Sequence, residues 1–221
     1  MALAIFDLDN TLLAGDSDYL WGQYLISRGI VDKTQYEHNN DLFYEQYRQG
    51  TLNIMEFLEF ALEPLARHDV QQLQQWHRDF MQTSIESIIL PRAVDLVEQH
   101  RLNNDTLMII TATNSFVTGP IAARFGIPNL LATEPEIVDG RYTGKVSGVP
   151  CFKEGKVTRL NAWLDEHSTT LEDSWFYSDS HNDLPLLKQV SHPVAVDADE
   201  KLLDYAKQQQ WQYISLREQE P

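Results

Sequence analysis

The stretch Leu3-Ala4-Ile5-Phe6-Asp7-Leu8-Asp9-Asn10-Thr11 decides the fold. It opens with a short apolar run typical of a buried strand, and the polar residues that follow stand at the carboxyl end of that strand. Asp7 and Asp9 alternate with Leu8, so in an extended backbone both carboxylates point to the same side. Two close carboxylates repel each other unless a cation or a shared proton accompanies them. The stretch therefore predicts a metal-binding or acid–base site at a strand end.

Two further apolar runs show the same pattern. Leu107–Ile110 leads into Thr111-Ala112-Thr113-Asn114, and Trp175–Tyr177 leads into Ser178-Asp179-Ser180. Between the three runs lie stretches with helical periodicity, at residues 91–101, 116–125, 155–164 and 184–190. Strands that alternate with helices predict an α/β fold with a doubly wound, mainly parallel sheet.

Residues 16–88 interrupt that alternation. Their apolar positions recur with a helical period in four stretches, at residues 19–28, 33–49, 54–66 and 70–85. Gly29, Gly50 and the Glu63-Pro64 step are the predicted breaks between these helices. We therefore expect an α/β core made of residues 1–15 and 89–221, with a small helical cap made of residues 16–88.

One hairpin is also indicated. Residues 137–146 place Asp139-Gly140 between alternating β-prone residues, which is the strongest short-range hairpin signal.

The composition narrows the class of partner. The 221 residues carry a formal net charge of −16, which would repel a nucleic acid over most of the surface. No run approaches the roughly 18 apolar residues of a membrane span. Cys151 is the single cysteine, and the amino terminus has no basic leader, so we expect a cytoplasmic protein. As to its oligomeric state, we expect a monomer or a homodimer.

A second pair of carboxylates strengthens the prediction of a metal site. Asp179 and Asp183 follow the strand at Trp175–Tyr177, and Asp179 would emerge at the same sheet edge as Asp7 if the two strands are neighbours. Several carboxylates at one edge are typical of a site for a hard, oxygen-seeking cation.

The chain resembles the haloacid dehalogenase-like superfamily, in the branch with a helical cap after the first strand, which includes phosphoserine phosphatases. Four ordered motifs carry the resemblance: Phe6 to Thr11, Ile109 to Thr111, a lysine near Lys156, and Asp179 to Asp183. Together they span most of the chain.

The resemblance implies a phosphatase that forms an aspartyl phosphate. Asp7 would be the nucleophile, and Asp9 would be the general acid and then the base. Thr111 would donate to a phosphate oxygen. Mg²⁺ would be held by the Asp7 carboxylate, the Asp9 carbonyl and Asp179, with Asp183 completing its surroundings.

The lysine of the third motif has two candidates, Lys153 and Lys156. Lys156 is favoured because it stands at a predicted helix start, where backbone N–H groups also attract an anion. Lys153 remains the alternative.

The substrate is expected to be a small phosphorylated metabolite. Asp16, with Asp18 as a neighbour, is a candidate to bind a substrate amine, and Asn114 and Asn182 are further candidates for substrate contacts. In phosphoserine phosphatases a cap arginine receives the substrate carboxylate, but the run Glu56–Leu62 contains no basic residue.

An amine-bearing leaving group therefore fits better, with Trp21, Phe57 and Phe60 as its expected surroundings. This profile matches histidinol phosphate, and the sequence also resembles the histidinol-phosphate phosphatases of this branch. Phosphoserine phosphatase, another small-metabolite phosphatase, a phosphotransferase or mutase, and a non-catalytic phosphate or metal sensor remain the alternatives.

Overall fold

A computed structural model describes residues 2–217. Within that range one seven-stranded sheet runs in the order β4-β3-β2-β1-β5-β6-β7. Neighbouring strands are parallel except for β3 and β4. The prediction of a mainly parallel α/β sheet is confirmed. The strands are β1 Leu3–Phe6, β2 Thr106–Asn114, β3 Asn129–Val138, β4 Arg141–Ser147, β5 Trp175–Ser178, β6 His192–Val196 and β7 Gln212–Ile214.

Helices cover both faces of the sheet and fill the segment between β1 and β2. They are α1 Ser17–Ser27, α2 Lys33–Gln49, α3 Ile54–Arg67, α4 Val70–Phe80, α5 Pro91–Leu102, α6 Ser115–Arg124, α7 Glu154–Glu166, α8 Leu184–Leu187 and α9 Glu200–Gln209. A π-helical turn at Met81–Ile85 and a 3₁₀ turn at Glu86–Ile88 follow α4. The segment between β1 and β2 begins and ends at neighbouring positions, because Leu13 and Ile89 form an antiparallel bridge.

The helices after β1 do not all form a separate layer. Trp21 and Tyr24 of α1 and Phe80 at the end of α4 are buried in the same apolar cluster as Phe6 of β1 and Val117 of α6. These helices therefore share the central core. Trp21, which we expected beside the substrate, is 2% exposed and packs in this core instead.

Helix α3 continues through Pro64, so the predicted break at Glu63-Pro64 is wrong. Leu62 and Leu65 are buried on the face of α3 that packs against α4 and β4. Burial of this apolar face outweighs the hydrogen bond that a proline inside a helix removes.

The predicted hairpin is present as β3 and β4, and its turn is at Asp139-Gly140. Both turn residues have positive φ angles, 50° and 74°, as a type I′ turn requires. Among the described residues, none of the helices is long and apolar enough to cross a membrane.

Candidate active site

The site forms where three adjacent strands end. Phe6 of β1 pairs with Ile109 of β2 on one side and with Tyr177 of β5 on the other. Asp7, directly after Phe6, keeps the line of the sheet by donating its N–H to the carbonyl of Tyr177 at 2.9 Å. The polar residues that follow β1 and those in the last part of β2 and at the end of β5 are therefore brought to one edge, as the sequence predicts.

A buried lysine joins two of the predicted carboxylates. Lys156 Nζ donates to Asp7 Oδ1 at 2.7 Å and to Asp183 Oδ2 at 2.8 Å. Lys156 is only 1% exposed, and the two aspartates are 3% and 2% exposed. Ser178 Oγ also donates to Asp183, at 2.7 Å. Asp183 thus holds the lysine in place, and a direct role as a metal ligand would compete with that contact.

Lys153 occupies a different place. Its Nζ donates to the carbonyl of Gly50 at 2.9 Å, on the turn that follows α2. Lys156 therefore lies against Asp7, and Lys153 contacts the end of α2.

Asp179 meets Asp7 through a hydroxyl that is not among the predicted site residues. Thr11 Oγ1 lies 3.1 Å from Asp179 Oδ1 and 3.5 Å from Asp7 Oδ2, and it accepts the N–H of Asp179 at 3.0 Å. Thr11 is the last residue of the first motif, and this place in the motif is the sequence feature that could have identified it as a site residue.

The oxygen donors of this edge fit a magnesium ion. Within residues 2–217 no group of three or more His, Cys, Asp or Glu side chains is placed to hold a metal ion. Mg²⁺ needs fewer side chains than that, since it usually binds one or two carboxylates and keeps several waters. Asp7 and Asp179, both facing Thr11, supply such a pair, and the pKa of Asp179 is raised well above its usual value by burial and by the nearby Asp7.

The side chain of Asp9 turns away from this pair. Asp9 Oδ1 accepts the N–H of Ser17 at 2.6 Å, and Asp9 Oδ2 accepts from Thr113 Oγ1 at 2.8 Å. The side chain is thereby fixed between α1 and β2. Burial raises the pKa of Asp9 to about 7.

Thr111 is almost fully buried in the second half of β2. Its Oγ1 accepts the N–H of Thr113 at 3.2 Å, which leaves its own hydrogen to be donated into the site.

A pocket opens beside Asp7. The side chains that line it are acidic, aromatic, aliphatic or neutral polar, and no described lysine, arginine or histidine is among them. The lining residues from the strand ends are Asp7, Asp9, Thr111, Ala112 and Thr113; those from the helical segment are Asp16, Asp18, Tyr19, Asn40, Phe43, Tyr44, Tyr47, Leu52, Ile54 and Phe57.

Two carboxylates of the pocket belong to the start of α1. Asp16 caps this helix by accepting the N–H of Tyr19 at 2.8 Å, and Asp18 accepts from Asn114 Nδ2 at 3.3 Å. Burial raises the pKa of each aspartate to about 7. Neither has a basic partner among the described residues, so the pair favours a cationic ligand.

The other predicted substrate contacts lie around the pocket. Asn114 caps α6 and contacts Asp18, so it is placed behind the pocket wall. Asn182 Nδ2 donates to the carbonyl of Tyr47 at 3.1 Å and thereby contacts α2. Phe57 lines the pocket as expected, but Phe60 packs against Tyr36 instead. The expectation for Phe60 is wrong because its face of α3 turns toward the apolar face of α2.

Comparison with known proteins gives the relatives of this chain. The haloacid dehalogenase-like hydrolase family matches residues 4–188. A histidinol-phosphatase of Neisseria meningitidis is 47% identical over 219 residues, which cover 97% of this chain and 99% of that protein. A phosphoserine phosphatase of Mycobacterium tuberculosis is 27% identical, and the match covers 98% of this chain and 71% of that protein.

Solved structures show the same fold. A protein of unknown function from Bordetella pertussis superposes with a TM-score of 0.92 at 44% identity, covering 98% of this chain and 99% of that chain. A substrate-bound phosphoserine phosphatase superposes with a TM-score of 0.68 at 17% identity, covering 92% and 89%. With a family match over most of its length and a 47% identical relative, the chain belongs to the haloacid dehalogenase-like hydrolases.

Proposed function

We propose that this protein is a magnesium-dependent phosphomonoesterase that forms an aspartyl phosphate on Asp7 and acts on histidinol phosphate. The observation that carries the proposal is the pocket. It joins a buried Asp–Lys–Asp cluster at the strand ends to a chamber lined by carboxylates and aromatic rings. The 47% identity to a histidinol-phosphatase supports the same conclusion.

Asp7 is the nucleophile in this proposal. Its carboxylate attacks phosphorus, the bond to the leaving alcohol breaks, and water later hydrolyses the acyl phosphate. Lys156 lies 2.7 Å from Asp7 Oδ1, so its charge faces both the carboxylate and the incoming phosphate. Thr111 donates its hydroxyl to a phosphate oxygen.

Asp9 moves the proton. Held between Ser17 and Thr113, its carboxyl faces the pocket where the ester oxygen would lie. It gives a proton to the leaving alcohol and takes one from the attacking water.

Asp7 and Asp179 would hold the magnesium ion, with the backbone of Asp9 as a further oxygen donor. The bound ion supplies positive charge that screens the carboxylates from the phosphate. Asp183 acts through Lys156, which it holds by an ion pair at 2.7 Å.

The pocket selects the organic part of the substrate. Asp16 and Asp18 attract an ammonium or imidazolium group, and Tyr19, Tyr44 and Phe57 offer ring faces and edges for an aromatic body. Histidinol phosphate combines both features and lacks a carboxylate. Phosphoserine carries a carboxylate, for which the described lining offers no cation.

The test is phosphate release by the purified protein, with Mg²⁺ or with a chelator. The panel contains histidinol phosphate, phosphoserine, phosphoethanolamine and glycerol phosphate, and Asp7→Asn is the control. We expect magnesium-dependent hydrolysis that is fastest with histidinol phosphate and absent in the variant. Hydrolysis that persists in Asp7→Asn would overturn the nucleophile, and a preference for phosphoserine would overturn the substrate.

We also propose that the protein is located in the cytoplasm. Its single cysteine, Cys151, is buried and forms no disulfide, which accords with a reducing compartment.

A further inference from the structure

Helix α2 is the least buried wall of the pocket. It supplies Phe43, Tyr44 and Tyr47 to the lining, yet only Tyr36 and Asn40 of its residues are buried. Apolar burial is the main source of helix stability in proteins, and in α2 it comes from a few rings, such as Tyr36 and Phe43, that pack against α3. Contacts at the end of α2 therefore add to the packing that fixes this wall.

The carboxyl end of α2 is held by side chains from three distant parts of the chain. Asn182 Nδ2 donates to the carbonyl of Tyr47 at 3.1 Å, and Lys201 Nζ donates to that of Gln49 at 3.0 Å. Lys153 Nζ donates to that of Gly50 at 2.9 Å. The last carbonyls of a helix have no partner within the helix and carry partial negative charge, and the two ammonium groups supply partners to the last of them. The Asn182 amide adds a second bond to the Tyr47 carbonyl, which also accepts the N–H of Gly50 at 3.0 Å.

The backbone has a positive φ angle on both sides of this contact, at Gly50 and at Lys153. Gly50 has φ of 76°, and a Cβ atom there would lie 2.6 Å from His181 Nε2. The ring of His181 is held in turn by Asp199 at 2.8 Å. Lys153 has φ of 49°, an uncommon conformation for a residue other than glycine that persists only where the surroundings impose it.

We propose that Lys153, Asn182 and Lys201 form a clasp that holds the end of α2 and so positions the wall carrying Tyr44 and Tyr47. They are positioning residues for substrate binding. Two of them lie in the segments that carry Lys156 and Asp183, so the clasp joins the pocket wall directly to the phosphate end of the site.

Hydrogen exchange tests the clasp without any substrate. The N–H groups of Gly50 and Thr51 bond to the carbonyls of Tyr47 and Gln46, so their exchange reports opening at the end of α2. We expect exchange about 3–10-fold faster in Lys201→Met and about 10–100-fold faster in the double variant with Lys153→Met. Lys207→Met, on the same helix α9 as Lys201, is the matched control and should match the wild type.

The amides of β1 serve as an internal control. If Gly50 and Thr51 exchange in the double variant as they do in Lys207→Met, the clasp is refuted. It is also refuted if the β1 amides accelerate by the same factor, because the effect would then be global unfolding.

A kinetic measurement adds a second test, which rests on the proposed function. With the clasp weakened, the wall carrying Tyr44 and Tyr47 is in position in a smaller fraction of molecules, so KM for histidinol phosphate should rise about 3–10-fold in Lys201→Met. The complex with the wall in position is unchanged, so kcat should stay within about twofold. A fall in kcat at constant KM would contradict the positioning role. If no phosphate ester is hydrolysed at all, the proposed function fails and the exchange experiment alone decides on the clasp.

Discussion

Replacing Lys156 with methionine tests the buried centre of the site by a measurement that needs no substrate. Lys156 pairs with Asp7 at 2.7 Å and with Asp183 at 2.7 Å, and all three side chains are at least 95% buried. Methionine fills a similar volume but leaves two carboxylates without a cation. Breaking a buried ion pair in this way costs about 3–5 kcal/mol.

The cost should depend on pH in metal-free buffer. Burial already raises the pKa of Asp7 to about 7, although Lys156 opposes this, and the variant loses that opposition. A carboxyl whose folded-state pKa lies above its unfolded value of about 3.9 destabilises the folded state when ionised. The penalty should therefore be complete above the folded-state pKa and should fade as the pH falls toward 4.

Urea unfolding with a chelator at pH 8 and pH 5 is the assay. For a chain of this size the unfolding free energy falls by about 3 kcal/mol per M of urea, so the urea concentration at the midpoint of unfolding at pH 8 should fall by roughly 1–2 M. Lys153→Met is the matched control and should change stability by less than about 1 kcal/mol, since its lysine contacts a partly exposed carbonyl. Adding Asp183→Asn to Lys156→Met should recover part of the loss because one unpaired charge is removed. The reasoning is refuted if Lys156→Met stays within about 1 kcal/mol of the wild type, or if Lys153→Met costs as much.

Three further predictions concern other parts of the molecule. Gly50→Ala should lower the unfolding free energy by about 1 kcal/mol more than Gly29→Ala, because both glycines have positive φ but only at Gly50 would the added Cβ lie 2.6 Å from an imidazole nitrogen; equal losses in urea unfolding would contradict this. Asp18→Asn should raise KM for histidinol phosphate about 10-fold or more without changing KM for glycerol phosphate, since it removes the charge proposed to bind the amine, and Asp165→Asn, at an exposed position of α7, is the control; equal effects on both esters would argue against an amine site. Burial lowers the pKa of His77, whose ring bonds to the carbonyl of Val117, so the folded state favours the neutral ring. The stability that this ring contributes is present above the unfolded value near 6.5 and is lost as the pH falls, by up to about 1.4 kcal/mol per pH unit. His77→Gln should flatten that decline in thermal unfolding between pH 7 and 5, and an unchanged slope would refute the assignment.

Local signals explain why much of the sheet edge could be predicted. Leu3–Phe6 is apolar and is followed directly by polar residues, and the structure ends β1 at Phe6. Helix α2 has an acidic cap at Asp32 and a glycine at Gly50, and its predicted limits match the observed Lys33–Gln49. Cap and glycine signals act within a few residues, so one sequence is enough to interpret them.

Other elements lacked such a signal. The strand β6 contains Pro193 near its start and is short, and β7 has only Gln212–Ile214. Neither was predicted, because each is stabilised as a strand by its neighbours in the sheet. The same reason applies to Trp21, whose burial depends on Phe80 and Phe116, residues far away in the sequence.

The clasp could not be predicted either. Its lysines donate to backbone carbonyls, and neither a periodicity nor a motif marks a surface lysine for that contact. The bond between Asn182 and α2 likewise joins residues 135 positions apart.

The lack of basic side chains in the described pocket lining also bears on how products would leave. In the proposed mechanism the alcohol is set free when Asp7 takes the phosphoryl group, and phosphate is formed only when water hydrolyses the acyl phosphate. The amino alcohol would therefore leave a pocket whose carboxylates, Asp16 and Asp18, still attract it. We expect phosphate, the last product, to compete with the substrate for the free enzyme, and added histidinol to inhibit by binding to the phosphorylated enzyme.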